Sequence, residues 1–276
     1  MFATKRRWLS LLAAGSLLLL VPLFMAADNR KPQTNGAYNA ENDTVEMFQA
    51  MKDGQISVKF IPSNAKKANV LIENKTDKPL NVKLPEAFVG VPVLPQFGGG
   101  GFGGGRGGGG GGYGGGNNGG GNQSMGGGMG GMGMGGMGMG MFNVPAEKVG
   151  KIQVDTVCLE HGKADPRPAV PYEIRPIESF TTKAGVKELC QMLGNRQIDQ
   201  RSAQAAAWHL SNDMSWQELS AKQLRYANGA RRPYFSPQEI QTAMTASGTA
   251  VRTAAENEKQ KPSPGENKDA DSATRQ

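Results

Sequence analysis

The chain has 276 residues, with 31 Lys and Arg against 24 Asp and Glu, a formal charge of +7, two histidines, two cysteines and 40 glycines. A cationic surplus this small, spread along the chain, is weak support for nucleic acid or membrane partners, because charge speaks first of solubility and non-specific association. No G-x-S-x-G elbow and no Gly-rich loop ending in Lys-Ser or Lys-Thr is present, which excludes two familiar routes to nucleophilic and phosphate chemistry.

At the start of the chain, Lys5, Arg6 and Arg7 form a positive region, and Trp8 to Ala27 is almost wholly apolar, closing on Ala26 and Ala27. That is the layout of a secretory signal over residues 1–27, and it predicts an extracytoplasmic destination: periplasm, cell envelope or secreted. Cleavage after Ala26 or Ala27 and retention as an anchor both stay open. Gly15 and Pro22 break a helix, whereas Phe24 and Met25 are bulkier than the residues preferred ahead of a cut, and the stretch reaches the about 20 residues that a span needs. A membrane contact is expected only if the segment is retained. No cysteine lies near Ala27, so a lipid anchor through cysteine is excluded. Loss of the signal removes three of the 31 cations, leaving 28 against 24 acids and a mature charge of +4.

Residues 28–44 are polar and aperiodic, which reads as a disordered lead. From Gln55 the pattern alternates, with Ile56, Val58 and Phe60 on one face and Ser57 and Lys59 on the other, the mark of a half-buried strand. Val70 to Ile72, a turn-rich stretch, and then Leu80, Val82 and Leu84 read as a hairpin. Phe88 to Leu94, punctuated by Pro92 and Pro95, belongs at an edge. Residues 98–141 hold most of the glycines, a composition that loses much backbone entropy on ordering and offers little to bury, so the tract is expected to be a disordered Gly/Met-rich insertion. Alternation resumes at Val149, Ile152 and Val154 and again at Tyr172, Ile174 and Pro176, so the insertion interrupts one sheet.

The fold expected is therefore α+β: a small antiparallel β-sandwich, Ig-like in size, over 45–97 plus 142–180, followed by a helical segment over 181–256 and a disordered tail over 257–276. Within the helical segment, Val186, Leu189, Cys190 and Leu193 follow helical spacing and stop at Gly194, and Asp199 caps a second helix. Ser215 with Glu218, and Ser236 with Glu239, are capping boxes that start a third and a fourth.

Several stretches carry a likeness: Val157-Cys158-Leu159-Glu160-His161-Gly162-Lys163, then Pro166-Arg167-Pro168 and Pro171-Tyr172, and Ala205-Ala206-Ala207-Trp208-His209-Leu210 leading to Ser215-Trp216-Gln217-Glu218-Leu219. In these motifs, over roughly Gln55 to Lys222, the chain resembles a family of uncharacterised exported proteins of planctomycete-type bacteria, which carry a similar Gly-rich, Met-containing insert. The resemblance implies the compartment and a two-part architecture, and no activity.

The four Cys and His residues lie between Cys158 and His209. An even count in an oxidising compartment points to a Cys158–Cys190 disulfide, which would close a loop worth on the order of 3 to 4 kcal/mol. If the thiols are free, Cys158, His161, Cys190 and His209 offer the donor types of a tetrahedral zinc or copper site. A cupredoxin-type copper site fails, since no histidine precedes His161 and no methionine follows it in the same loop. Met125, Met129, Met132, Met134, Met137, Met139 and Met141 are soft donors suited to Cu(I), against compositional drift in a glycine repeat. Trp208 and Trp216 either line a pocket or seal a small helical core. The reading that follows is a non-catalytic structural or protein-interaction component of the cell envelope, with no cofactor and no nucleic acid partner, or else a metal-binding protein; an enzyme of unknown type is a third possibility.

Overall fold

A computed structural model describes residues 38–93, 121–131 and 140–260. The expected signal, most of the lead, the last residues of the chain and Met132, Met134, Met137 and Met139 lie outside the described residues. In chain order the strands are β1 (Asp43–Glu46), β2 (Ile56–Asn64), β3 (Lys67–Asn74), β4 (Leu80–Lys83), β5 (Phe88–Pro92), β6 (Met125–Gly127), β7 (Met141–Val144), β8 (Val149–Cys158), β9 (Tyr172–Pro176), β10 (Gln223–Arg225) and β11 (Arg231–Pro233). The helices are α1 (Met47–Lys52), α2 (Val186–Gly194), α3 (Gln200–Asn212), α4 (Trp216–Ala221) and α5 (Pro237–Gln260). None is both long and apolar enough to cross a membrane among the described residues.

The architecture is α+β, but the sheet is a closed barrel rather than the expected sandwich, in the order β2-β3-β8-β6-β5-β9. Asn64 turns β2 into β3 by accepting the Lys66 and Lys67 amides on its side-chain oxygen at 2.8 and 3.2 Å. β3 takes β2 on one edge and β8 on the other. The expected hairpin from β3 to Leu80 therefore has no free edge to form on, and β4 instead joins β1 and β7 in a separate three-stranded sheet. Asn74 steers the chain away there, donating to the carbonyls of Lys78 and Val144 at 2.7 and 3.1 Å.

The strand that closes the barrel comes from within the tract expected to be disordered. β6 pairs with β8 on one side and β5 on the other, and β9 then bridges β5 to β2 through Phe60 and Tyr172. Closure removes the two open edges that a sandwich of so few strands would leave. Ordering glycine is costly, yet Met125 and Met129 are both 0 % exposed in the barrel core, and burying each contributes about 1.5–3 kcal/mol. The tract thus does carry side chains to bury, at two positions that its composition conceals.

Two cores flank the barrel wall. Inside lie Phe60, Val70, Ile72, Phe88, Met125 and Val154, continuous with Phe142 and Val82 of the small sheet. Outside, Val89, Val157 and Leu159 pack against Leu189, Cys190 and Trp208 of the helices. The helix ends follow local chemistry: Asp199 accepts the Arg201 and Ser202 amides, and Ser215 with Glu218 and Ser236 with Glu239 close reciprocal caps.

The helical layer reaches the wall through a backbone-to-backbone contact. A Cβ on Gly128 would lie 2.4 Å from the Glu86 carbonyl oxygen and 2.5 Å from that of Cys190, and one on Gly194 would lie 2.5 Å from the Gly128 carbonyl carbon. Gly128→Ala is expected to destabilise the protein by about 1–3 kcal/mol in denaturant unfolding, since backbone on both sides must move. Gly248→Ala, in α5 with nothing within 4 Å of the added methyl, should instead stabilise by up to about 1 kcal/mol. Equal effects at the two sites would contradict the contact.

Candidate functional site

The wall that β6 completes separates the two cysteines. Along β8, Ile152 and Val154 face the barrel interior and Val157 faces the helices, so Cys158 points inward, opposite Met125. Its amide donates to the Gln204 side-chain oxygen and its carbonyl accepts from the Gln204 amide group, both at 2.9 Å, so Gln204 extends the ladder where β3 has ended. Cys190 sits on the other side, on α2, its sulfur 2.8 Å from where a Cβ on Gly126 would lie. Both cysteines are free thiols, and the expected Cys158–Cys190 disulfide is not formed. The reason is topological: the two sulfurs lie on opposite faces of a strand pair. Burial pushes each thiol up to about 12, aided by the charge of Asp165 at Cys158 and of Glu188 at Cys190, so neither is a thiolate at neutral pH.

The histidines are engaged elsewhere. His209, in the last turn of α3, places Nδ1 2.8 Å from the Met214 carbonyl oxygen and stacks its ring on Trp216 with centroids 4.1 Å apart. His161, in the loop after β8, donates its amide to Asn212 Oδ1 at 3.1 Å and sets its ring edge against Trp208 at 4.7 Å. The four-residue set of Cys158, His161, Cys190 and His209 is not brought together, and no group of three or more such side chains converges among the described residues. Of the methionines considered as Cu(I) donors, Met125 and Met129 are core residues, and Met141 lies in β7.

What the fold does assemble is a cationic and aromatic surface around Lys222. The loop from Glu160 to Asp165 is pinned by residues of the Gly-rich tract. The Ser124 amide donates to Glu160 Oε2 at 2.9 Å, and the Gln123 amide group donates to the Lys163 carbonyl at 3.1 Å. Asn122 donates to the Asp165 carbonyl at 2.6 Å, and Lys163 pairs with Glu160. The loop after β8 is thus the joint at which Asn122, Gln123 and Ser124 are held to the barrel.

Held by this joint, His161 Nε2 accepts from the Lys222 ammonium at 2.9 Å. The same ammonium stands 5.2 Å from the Trp208 ring centroid and 5.4 Å from that of Tyr234. Burial lowers the Lys222 pKa, and burial followed by the Lys222 charge lowers that of His161. Tyr234 in turn packs on Trp208 and Phe235, and Arg201, ion-paired with Glu239, donates to its carbonyl.

Lys222 and Tyr234 are also the two feet of a β-ribbon. The Tyr234 amide donates to the Lys222 carbonyl at 2.8 Å, after which β10 and β11 run out antiparallel with every strand residue exposed. The ribbon turns at Ala227-Asn228-Gly229. The Gly229 amide donates to the Tyr226 carbonyl, the Tyr226 amide to the Ala230 carbonyl, both at 2.9 Å, and Gly229 has φ +81°, a three-residue loop with glycine at the left-handed position. Register places Leu224 opposite Arg232, and Arg225 opposite Arg231. Tyr226, under the Arg232 guanidinium at 6.0 Å, shares the face of Leu224.

The ribbon carries three arginines, and Lys222 a fourth cation at its base. None has a carboxylate within ion-pair distance among the described residues. The ribbon is absent from the elements that alternation and capping mark, yet two signals in the sequence point to it: the Asn228-Gly229 dipeptide, and a run from Leu219 to Gln238 with four cations and no acid.

Two outcomes are expected in solution. Native protein should resist alkylation, and on unfolding without reductant it should gain two adducts by mass; a bridged chain would gain none. His161 should titrate below its usual value near 6.5, and Lys222→Met should move it upward, read by histidine NMR. Because the folded protein disfavours the imidazolium, this residue's linkage lowers stability as pH falls through the unfolded value towards the folded one, and the slope flattens below that.

Comparison with family models, with curated proteins and with solved structures returns no match.

Proposed function

We propose that the protein is an exported, non-catalytic binding component of the cell envelope, and that the β10–β11 ribbon is its contact element. One observation carries this reading: Arg225 and Arg231 face each other across an exposed two-stranded ribbon without an acidic partner among the described residues. Like charges directly opposite destabilise a strand pair, and a two-stranded ribbon is marginal by itself. Here the cost is met at the base, where Lys222, Trp208 and Tyr234 are packed together, and the exposed end presents charge that an anionic partner neutralises.

Other features support the same reading. The positive and apolar start of the chain is that of an exported protein. A rigid body bearing an exposed loop or ribbon is a common arrangement for recognition. The side chains with the strongest chemical potential are committed to structure, both thiols buried and the imidazoles engaged with Lys222 and Trp216.

The reading is tested by placing a photo-cross-linking residue at position 226 in the producing cell. Adducts with an envelope component are expected, and Arg225→Glu with Arg231→Glu should reduce them at least tenfold while the thermal midpoint stays unchanged. Absence of adducts, or adducts indifferent to the charge reversal, would overturn it.

A further inference from the structure

The distribution of charge around the ribbon says more about the partner than its sign does. Successive residues of a strand point to opposite faces, so Arg225 and Arg231 share one face while Arg232 lies on the other with Leu224 and Tyr226. A partner lying flat against one face would neutralise only part of this set. A layer of anions surrounding the tip meets all three guanidinium groups at once.

The apolar side chains sharpen the point. Leu224 is 38 % exposed and Tyr226 44 % exposed, side by side next to the turn. A soluble polyanion offers Leu224 nothing to be buried against. The boundary of a bilayer offers both an apolar layer and phosphates, and tyrosine with arginine is a pairing suited to that boundary, an apolar body with a polar or charged end that reaches the headgroups. The small turn residues Ala227, Asn228, Gly229 and Ala230 put no bulk ahead of Tyr226.

We infer that the β10–β11 ribbon docks tip-first on an anionic phospholipid surface, with Leu224 and Tyr226 entering the headgroup boundary and Arg225, Arg231 and Arg232 on the surrounding phosphates. This deepens the reading of the ribbon as a contact element and rests on it. The cations act here as a local collar, so the small net charge of the whole chain is no obstacle. Attachment of this kind is reversible and salt-sensitive.

The test is vesicle co-sedimentation of the full chain, comparing phosphatidylcholine alone with phosphatidylcholine containing phosphatidylglycerol. Using the full chain in every arm keeps any contribution of residues 1–27 constant, so the differences between variants report the ribbon. Phosphatidylglycerol-dependent binding is expected to fall about tenfold or more with Arg225→Glu and Arg231→Glu. Leu224→Ser with Tyr226→Ser should also weaken it several-fold, with no change in charge. All four positions are exposed, so unchanged thermal midpoints serve as the folding control. If the Leu224 and Tyr226 variant binds vesicles as the wild type does and polyglutamate displaces both, the partner is an acidic polymer and the bilayer is rejected. If no variant differs from the wild type on vesicles while charge-dependent adducts at position 226 persist in the cell, the lipid assignment fails and the ribbon stands as a contact element for something else. Loss of both signals removes the two together.

Discussion

The backbone contact between Gly128 and Gly194 is the constraint on which the described fold rests. β6 is only three residues long and two of them are glycine, yet it is the strand that joins β8 to β5 and lets six strands close. It holds its place from both sides. Met125 and Met129 are sunk in the barrel core, and on the outer side the absence of Cβ atoms lets the end of α2 come down onto the chain itself. Side chains at Gly128 or Gly194 would lift the helix from the wall, and the outer core of Val157, Leu159, Leu189 and Cys190 would open with it. Glycine here is a packing residue, chosen for close approach of two backbones.

That same wall decides the chemistry open to the molecule. A strand pair is a partition, since its side chains alternate between faces, and residues close in sequence or in register can still be walled off from each other. Cys158 and Cys190 show it: one belongs with Met125 inside, the other with Leu189 outside. Burial then finishes the matter by holding both thiols protonated. The histidines are removed from consideration by a different route, His209 stacked on Trp216, His161 edge-on to Trp208, and each tied to a neighbouring polar group.

How much of this can be read from the residues follows from the range of the interactions. Helix starts are local: Asp199, Ser215 and Ser236 each act on amides two or three positions away, and all three caps form as their spacing indicates. Alternation in β2 and β8 is local too, and it identifies strands without saying which edges they share. What pairs with what is a tertiary fact, and so the hairpin from β3 to β4 fails because β8, some eighty positions along the chain, occupies the edge it would need. β6 was hidden for a further reason. Composition averages over a window, and a window rich in glycine conceals two methionines whose burial is what orders the segment. The ribbon is the opposite case, an element with a short-range signal in Asn228-Gly229 that is masked by Arg225, Arg231 and Arg232, because strands of three residues with exposed cations carry no apolar alternation.

The ribbon and the barrel are mechanically one object. The tract residues Asn122, Gln123 and Ser124 pin the loop that carries His161; His161 accepts from Lys222; and Lys222 is the residue from which β10 leaves the body. Each link is a polar contact between a side chain and its neighbour, whereas the cores on either side of the wall are apolar. The ribbon's base is therefore set by geometry fixed at the barrel rim, while the contacts at its far end are those of its own turn and of Arg232 over Tyr226. A contact element built this way keeps its orientation without its tip having to pack against anything. That is why Arg225 and Arg231 can be held face to face at an exposed turn, and why their charge is directed outward, away from a body whose remaining ion pairs are already closed, Arg201 with Glu239 and Lys163 with Glu160 among them.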